Sequence, residues 1–455
     1  MTMRRVPAAP RWGVQTELAR ENFDGIGPLM PLSIVHHVAR IKLAAARVNG
    51  HDPEPVIGVE VTAAIEAAAV AVASGRYDEH FPLVALQTGS GTSTNMNVNE
   101  VIAGLAGESL GVAVHPNDVV NARQSSNDVM PTALHLALLD AGRSTMTSAE
   151  RLVSALEDRG RVFADVVTVG RTHLMDAAPV LMGWQFDGWA AQVADTIGLV
   201  QQASMGLLVV PLGGTAVGTG LNTRPGWRRE VLAELAAITG HDLVLPRHAF
   251  AAQSGLDAVV AASAAARSLA VAVHKVANDL RLLGSGPLTG FAELRLPEVQ
   301  AGSSIMPGKV NPVMCEAAIQ AALKVMGNDV TVGMAAASGQ LAITATFGVV
   351  AISVLESYEM LSAACERLAS RCIDAIEVDA EQCRRHAAMS PAIVTALSPV
   401  IGYDASAALA HQLADHPGRS LLEALLDSGH DRTRAEELVA LADPSVLARE
   451  TPADR

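Results

Sequence analysis

Gln300-Ala301-Gly302-Ser303-Ser304-Ile305-Met306-Pro307-Gly308-Lys309-Val310-Asn311-Pro312 lies between two long apolar segments of helical period. It is polar and punctuated by Gly and Pro, so it reads as a loop carried on a rigid scaffold. It offers two hydroxyls, a cation at Lys309 and an amide at Asn311. Asn311 followed by Pro312 is a helix-start signal, with Asn as N-cap and Pro in the first helical position. The next helix then aims its N-terminal N–H groups back at the loop, and with Lys309 these suit an anion. Composition alone also fits an ordinary linker with a helix cap.

Two earlier segments repeat this construction. Thr88–Asn99 is rich in Gly, Ser, Thr and Asn and leads into Glu100–Ala106. Ser125-Ser126-Asn127-Asp128 precedes Val129-Met130-Pro131 and the apolar helix Ala133–Leu139. Each reads as a helix N-terminus with hydroxyls and amides in front of it, and two together point to carboxylate recognition. Gly213–Gly220 is glycine-rich, but it lacks a Lys-Ser/Thr ending and a strand–helix frame, which excludes a nucleotide loop.

Half the residues are hydrophobic and only 18% are charged. A surface so poor in charge predicts extensive burial between subunits. The net charge of −14 argues against nucleic acid or an anionic membrane as partner. An anionic substrate must then be drawn in by local cations and dipoles. Met1–Pro7 has no apolar run after its two arginines and does not read as a signal peptide. Leu341–Leu355 carries no charge but is too short to span a bilayer, and reads as a buried helix. Cys315, Cys365, Cys372 and Cys383 form no Cys-x-x-Cys pair, which suits buried thiols in a reducing cytoplasm. No His/Cys/Asp cluster has metal-ligand spacing, so neither a metal nor another cofactor is expected.

Ile34–Val48 and Val61–Ala73 read as amphipathic helices among polar turns. The chain then becomes long helix after long helix: Leu134–Arg159, Val180–Gly206, Trp227–Thr239, Gln253–Leu283, Val313–Ala337 and Leu341–Ile376. Such lengths predict a helical bundle. His274, Lys275, Asn278 and Asp279 read as a satisfied polar cluster on one of these helices. Shorter helices follow at Asp404–Ala414, Ser420–Ser428 and Arg432–Leu441. The expected organisation is an N-terminal mixed helical domain (1–133), a central long-helix bundle carrying the loop (134–389) and a small C-terminal helical domain (390–455).

The loop Ser303–Pro312 resembles the signature loop of the fumarase/aspartase superfamily. Three further blocks match in the expected order: Thr88-Gly89-Ser90-Gly91-Thr92, His115-Pro116-Asn117-Asp118 with Gln124–Asp128, and Gly170-Arg171-Thr172-His173. The resemblance covers about 12–440 and is strongest to the class II fumarate hydratases. It implies a mainly α, three-domain fold with a central long-helix bundle, and a homotetramer whose active sites are shared between subunits. It also implies reversible hydration of fumarate, a small dicarboxylate, to malate.

Residue by residue, the resemblance makes Ser303 the base that takes a proton from the carbon beside a carboxylate. Lys309 and Asn311 would stabilise the doubly charged carboxylate that results. His173, partnered by Glu316, would handle the leaving water with Thr172. Ser90, Thr92, Ser125, Ser126, Asn127 and Ser304 would hold the substrate carboxylates. His115, Asn117 and Asp118 match a secondary carboxylate site near the surface. Ser126 and His173 favour a hydratase over an aspartate ammonia-lyase, whereas Leu296–Gly302 is similar to the aspartase version. Two carboxylates usual in the family are missing, with Ala342-Ile343-Thr344 after Leu341 and Trp184-Gln185 after Gly183. Their loss is compatible with another substituted succinate as substrate. A catalytically inactive structural protein on the same scaffold would lack a reason to keep the loop intact.

Overall fold

A computed structural model describes residues 7, 9–52, 57–302, 305–416 and 418–448. Ser303 and Ser304 lie outside the described residues. The described chain is mainly α-helical. In order it runs α1 (Val14–Phe23), α2 (Leu32–Gly50), α3 (Val59–Ala73), α4 (Thr92–Leu110) and α5 (Ser126–Val162). Next come β1 (Val167–Thr172), β2 (Met175–Leu181), α6 (Met182–Leu207), α7 (Trp227–Thr239), α8 (Ala249–Ser254) and α9 (Asp257–Leu283). β3 (Leu294–Arg295), α10 (Val313–Ala337), α11 (Phe347–Arg371), β4 (Glu377–Val378) and α12 (Ala380–Met389) follow. The last helices are α13 (Ser398–Ile401), α14 (Tyr403–Asp415), α15 (Leu421–Asp427), α16 (Arg432–Leu441) and α17 (Pro444–Leu447). Each expected long helix is present; α7 and α10 have the expected bounds and the others have shifted ends.

The shifts have local causes. Gly255 ends α8, so the span expected over Gln253–Leu283 breaks before α9. A tight turn pairing Gln340 with Ile343 delays the start of α11. α5 starts earlier than expected because Ser125 and Asp128 cap it reciprocally. The Asn127 N–H donates to Ser125 Oγ (3.2 Å) and the Ser125 N–H donates to Asp128 Oδ1 (3.0 Å), a capping-box arrangement. Most of the Thr88–Asn99 polar run is helical, since Gly91 turns left-handed (φ 74°) and launches α4 from Thr92.

The chain falls into two compact units. The first takes in the chain to Thr147, with Thr196–Val271 and Ala321–Ala363; the second takes in Ser148–Asp195, Ala272–Gln320 and the chain from Ala364. In the first unit α2 packs on α3, α4 and α7. Its buried stripe includes Ile34, Val35, Val38, Ile41 and Ala45, the period of a core-facing helix. Trp227 of α7 is fully buried, and its indole N–H donates to Asn49 Oδ1 at 2.7 Å. The polar group is thereby satisfied where it is buried.

The second unit contains a hairpin that the sequence reading had assigned partly to a helix. β1 and β2 pair antiparallel, from Val167 opposite Leu181 to Thr172 opposite Met175, with a bulge at Gly170. A Cβ on Gly170 would stand 2.7 Å from the Ala178 carbonyl oxygen, so the close approach requires glycine. α12 packs on β1. A separate C-terminal core gathers Ile393, Val394, Leu397, Leu409, Leu425, Leu438 and neighbours. α9 and Phe347–Ala375 are long and apolar enough to cross a membrane by length and composition, but more than half of each apolar window is buried inside the protein. The four cysteines are free and buried, as expected.

Candidate active site

Within the first unit, two of the polar blocks meet. The Ser90 and Thr92 hydroxyls are 2.7 Å apart, and Thr92 Oγ1 is 2.8 Å from Ser126 Oγ. This chain of hydroxyls joins the start of α4 to the start of α5, where free N–H groups and the helix dipoles favour an anion. Asn127 continues the row, its amide N–H donating to the Ala216 carbonyl at 2.9 Å. Ser125 serves as the α5 cap described above. Gly89 is held against Ala345, leaving no space for a side chain.

Behind this row lie two buried ionisable groups not singled out from sequence, Asp128 and Lys42. Asp128 accepts N–H groups from Ser125 (3.0 Å), Gly213 (2.9 Å) and Thr215 (2.8 Å). The glycine-rich Gly213–Gly220 segment is thus a clamped turn beside the hydroxyl row. Burial drives the Asp128 carboxyl up to about 6, against the pull of those N–H groups and of Lys42. Lys42 is fully buried too, and donates to Asn121 Oδ1 (2.8 Å) and Gln124 Oε1 (3.0 Å). Burial pushes its ammonium down to about 7, opposed by Asp128. The sequence signal was available: Lys42 falls four residues after Val38 and four before Ala46, on the buried face of α2.

His115 is exposed and caps a single helical turn at Pro116–Val120, accepting the Asp118 N–H at 3.0 Å. Asn117 lies in that turn and Asp118 is exposed.

In the second unit, Thr172 and His173 occupy the exposed tip of the hairpin. The two central turn residues, His173 (φ 58°) and Leu174 (φ 63°), are both left-handed without being glycine. Two positive φ values in succession match the twist of a two-residue hairpin, and residues other than Gly there store strain. The turn lacks Gly or Asn, which explains why no hairpin was expected.

The loop before α10 folds back on itself. Asn311 Nδ2 donates to the Gly302 carbonyl at 2.5 Å, and Gly308 takes a left-handed φ of 77°. A Cβ on Gly302 would overlap the Lys309 carbonyl oxygen. Lys309 is exposed and Asn311 half-buried. α10 begins at Val313 rather than Pro312, so Asn311 lies one residue before the cap and uses its side chain to close the loop instead. Glu316 sits in the first turn of α10, half-buried. No ion pair joins it to His173 among the described residues of one chain.

The departures from the family pattern are accommodated locally. Thr344 is buried and its hydroxyl donates to the Ser254 carbonyl at 2.9 Å. Gln185 lines a cleft with Lys275 and Asp279. Lys275 pairs with Asp279, which also accepts the Trp189 indole N–H at 3.1 Å, so these two members of the expected polar cluster are satisfied.

The chain belongs to the lyase family. The family model described as "Lyase" matches residues 3–327, and one described as "Fumarase C C-terminus" matches 393–449. More particularly, it is similar to a class II fumarate hydratase of Pseudomonas aeruginosa, with 45% identity over 95% of each chain. The class II fumarate hydratase of Pseudomonas syringae is 44% identical over 93% of this chain and 92% of its own. The crystal structure of a class II fumarase from Schistosoma mansoni superposes with a TM-score of 0.94 at 34% identity, covering 98% of this chain and 97% of that one.

Proposed function

We propose that the protein is a fumarate hydratase, interconverting fumarate and (S)-malate by anti addition and elimination of water. The observation that carries this is the full-length likeness to class II fumarate hydratases. In the elimination direction, Ser303 takes the proton from the carbon beside one carboxylate. The electron pair moves into that carboxylate, giving an aci-carboxylate with a second negative charge. Lys309, Asn311 and the N–H groups at the start of α10 stabilise it electrostatically. The pair then returns to form the double bond as hydroxide leaves, and His173 with Glu316, aided by Thr172, supplies the proton that makes it water.

Ser90, Thr92, Ser125, Ser126, Asn127 and Ser304 hold the substrate carboxylates and fix their orientation. His115, Asn117 and Asp118 form a secondary carboxylate site. The hydroxyl row at the starts of α4 and α5 supports the first assignment. His173 is exposed and has no hydrogen-bond or ion-pair partner among the described residues of one chain, which supports a site shared between subunits. We assign the active form as the homotetramer that the family resemblance implies; Met205, Val271, Leu323, Val330 and Met334 on the long helices are each at least half exposed, which supports burial against apolar partners. The domains are assigned as 1–133, 134–389 and 390–455; the C-terminal core and the matched model from 393 support the last. A cytoplasmic location suits the buried free thiols.

The experiment is the fall in near-ultraviolet absorbance of fumarate with wild-type, Ser303→Ala and Lys309→Met proteins. Both variants should assemble normally and turn over at least a hundredfold slower, the lower range of a general-base contribution. A Ser303→Ala enzyme at near-normal rate would overturn the assignment of the base.

A further inference from the structure

We propose that Glu293 is a positioning residue that holds the His173 hairpin in register through Arg171, an inference that rests on the hydratase reading. Glu293 is fully buried in the second unit. Its backbone is fixed on both sides: its N–H donates to Leu283 O at 3.0 Å, and its carbonyl accepts the Asp379 N–H at 2.9 Å. Its carboxylate grips β1 at two places. Arg171 donates from Nη1 to Oε2 (3.1 Å) and from Nη2 to Oε1 (2.5 Å), and the Thr168 hydroxyl donates to Oε2 at 3.1 Å. A two-pronged guanidinium–carboxylate contact fixes direction as well as distance. The Arg171 guanidinium also lies over the Phe291 ring, 4.2 Å from its centroid, a second restraint on its plane.

His386 of α12 completes the cluster. Its Nδ1–H donates to Glu293 Oε1 at 2.6 Å, while its Nε2 is 2.7 Å from Gln382 Nε2, which donates to it. Every polar atom of the carboxylate therefore faces a donor, and the network is fully satisfied, the state in which buried polar groups rigidify their surroundings.

The placement gives this rigidity a use. Arg171 directly precedes Thr172 and His173, and it lies just beyond the bulge at Gly170, where strand pairing changes register. Beyond it, the turn holds two non-glycine residues at positive φ. A strained turn persists only where its surroundings over-determine it. The bulge weakens the strand pairing as a restraint, and the Arg171–Glu293 contact reinforces the short stretch of pairing that resumes between the bulge and the turn. Glu293 touches no reacting atom in this account; it acts by fixing where His173 points. A displacement near 1 Å at such a site costs on the order of a hundredfold in rate.

The test uses the full-length assembled enzyme with Glu293→Gln, Glu293→Asp, His173→Asn and the Glu293→Gln/His173→Asn double variant. Circular dichroism and assembly size establish which variants fold. Glu293→Gln should lower kcat for fumarate hydration on the order of a hundredfold, with KM changed far less, and Glu293→Asp should recover part of that loss. In the His173→Asn background the same change should add about twofold or less, because the group it positions is gone. Hydrogen exchange at the 172–175 amides should accelerate in Glu293→Gln whatever the enzyme's substrate. If Glu293→Gln does not fold, Arg171→Lys, which keeps the charge but loses the fork, takes its place with the same expectations. Unchanged kcat, or equal losses in both His173 backgrounds, or unaltered exchange at the turn, would overturn the proposal. A wild-type enzyme that leaves fumarate untouched would instead overturn the hydratase reading, and the exchange measurement would still decide the role of Glu293.

Discussion

His135 makes the acid sensitivity of the first unit calculable. It lies on α5, buried, with Nδ1–H donating to the Leu207 carbonyl at 3.1 Å. Burial pushes its pKa from the ordinary 6.5 down to about 4, against the help of backbone carbonyls. The unfolded chain therefore binds a proton between those values that the folded chain refuses. Stability is fully present above pH 6.5 and falls as the pH drops toward 4. The difference, 6.5 − 4 at about 1.4 kcal/mol per unit, is about 3.5 kcal/mol, of which about 2.5 kcal/mol is lost by pH 4.5. In a His135→Asn variant the amide can still donate to Leu207, and this proton is absent. Urea unfolding followed by tryptophan fluorescence, at pH 7.5 and 4.5 and one protomer concentration, reads the difference. The variant should be weaker at pH 7.5 because of the cavity it leaves, yet lose about 2.5 kcal/mol less than wild type on acidification. Parallel losses in the two proteins, within about 0.5 kcal/mol, would refute this role for His135.

Lys42→Met should destabilise the fold by about 1–3 kcal/mol for each buried acceptor left unsatisfied, since Asn121 Oδ1 and Gln124 Oε1 lose their donor; a urea midpoint close to wild type would contradict this role for Lys42. Gly302→Ala should leave the melting temperature almost unchanged and lower kcat at least about tenfold, because its methyl group displaces Lys309 in an exposed loop where charge must be placed to stabilise the transition state; steady-state kinetics checks this. Mixing Ser303→Ala chains with His173→Asn chains and reassembling them should restore part of the activity, since some shared sites then carry neither defect. Hybrids no more active than their parents would count against sites built from several subunits.

The helical bundle was legible because apolar period and length are strong signals: α7, α10 and α16 have the bounds expected of them. The hydroxyl blocks were legible as helix starts, and Ser90, Thr92 and Ser126 do meet. The hairpin was missed for a physical reason. Its turn is His173-Leu174, which carries no conformational preference for positive φ and is held there by tertiary contacts, above all Arg171 on Glu293. Its second strand, ending Val180-Leu181, runs straight into α6 without a breaker, so the apolar pattern merged the two. Lys42 and Asp128 escaped notice because, Ser125 apart, their hydrogen-bond partners lie 79 to 87 residues away, and charge burial of that kind is decided by packing. Asn311 was placed one residue too far inside its helix, because the amide that would cap α10 is engaged by Gly302.

The most direct test is to give the purified protein fumarate in buffer free of ammonium and identify the product by mass. Malate, formed at a rate on the order of 1–1,000 per second and carrying one oxygen from the solvent when the water is labelled, is the predicted result. Aspartate formed only when ammonium is added, or no product under either condition, would contradict it.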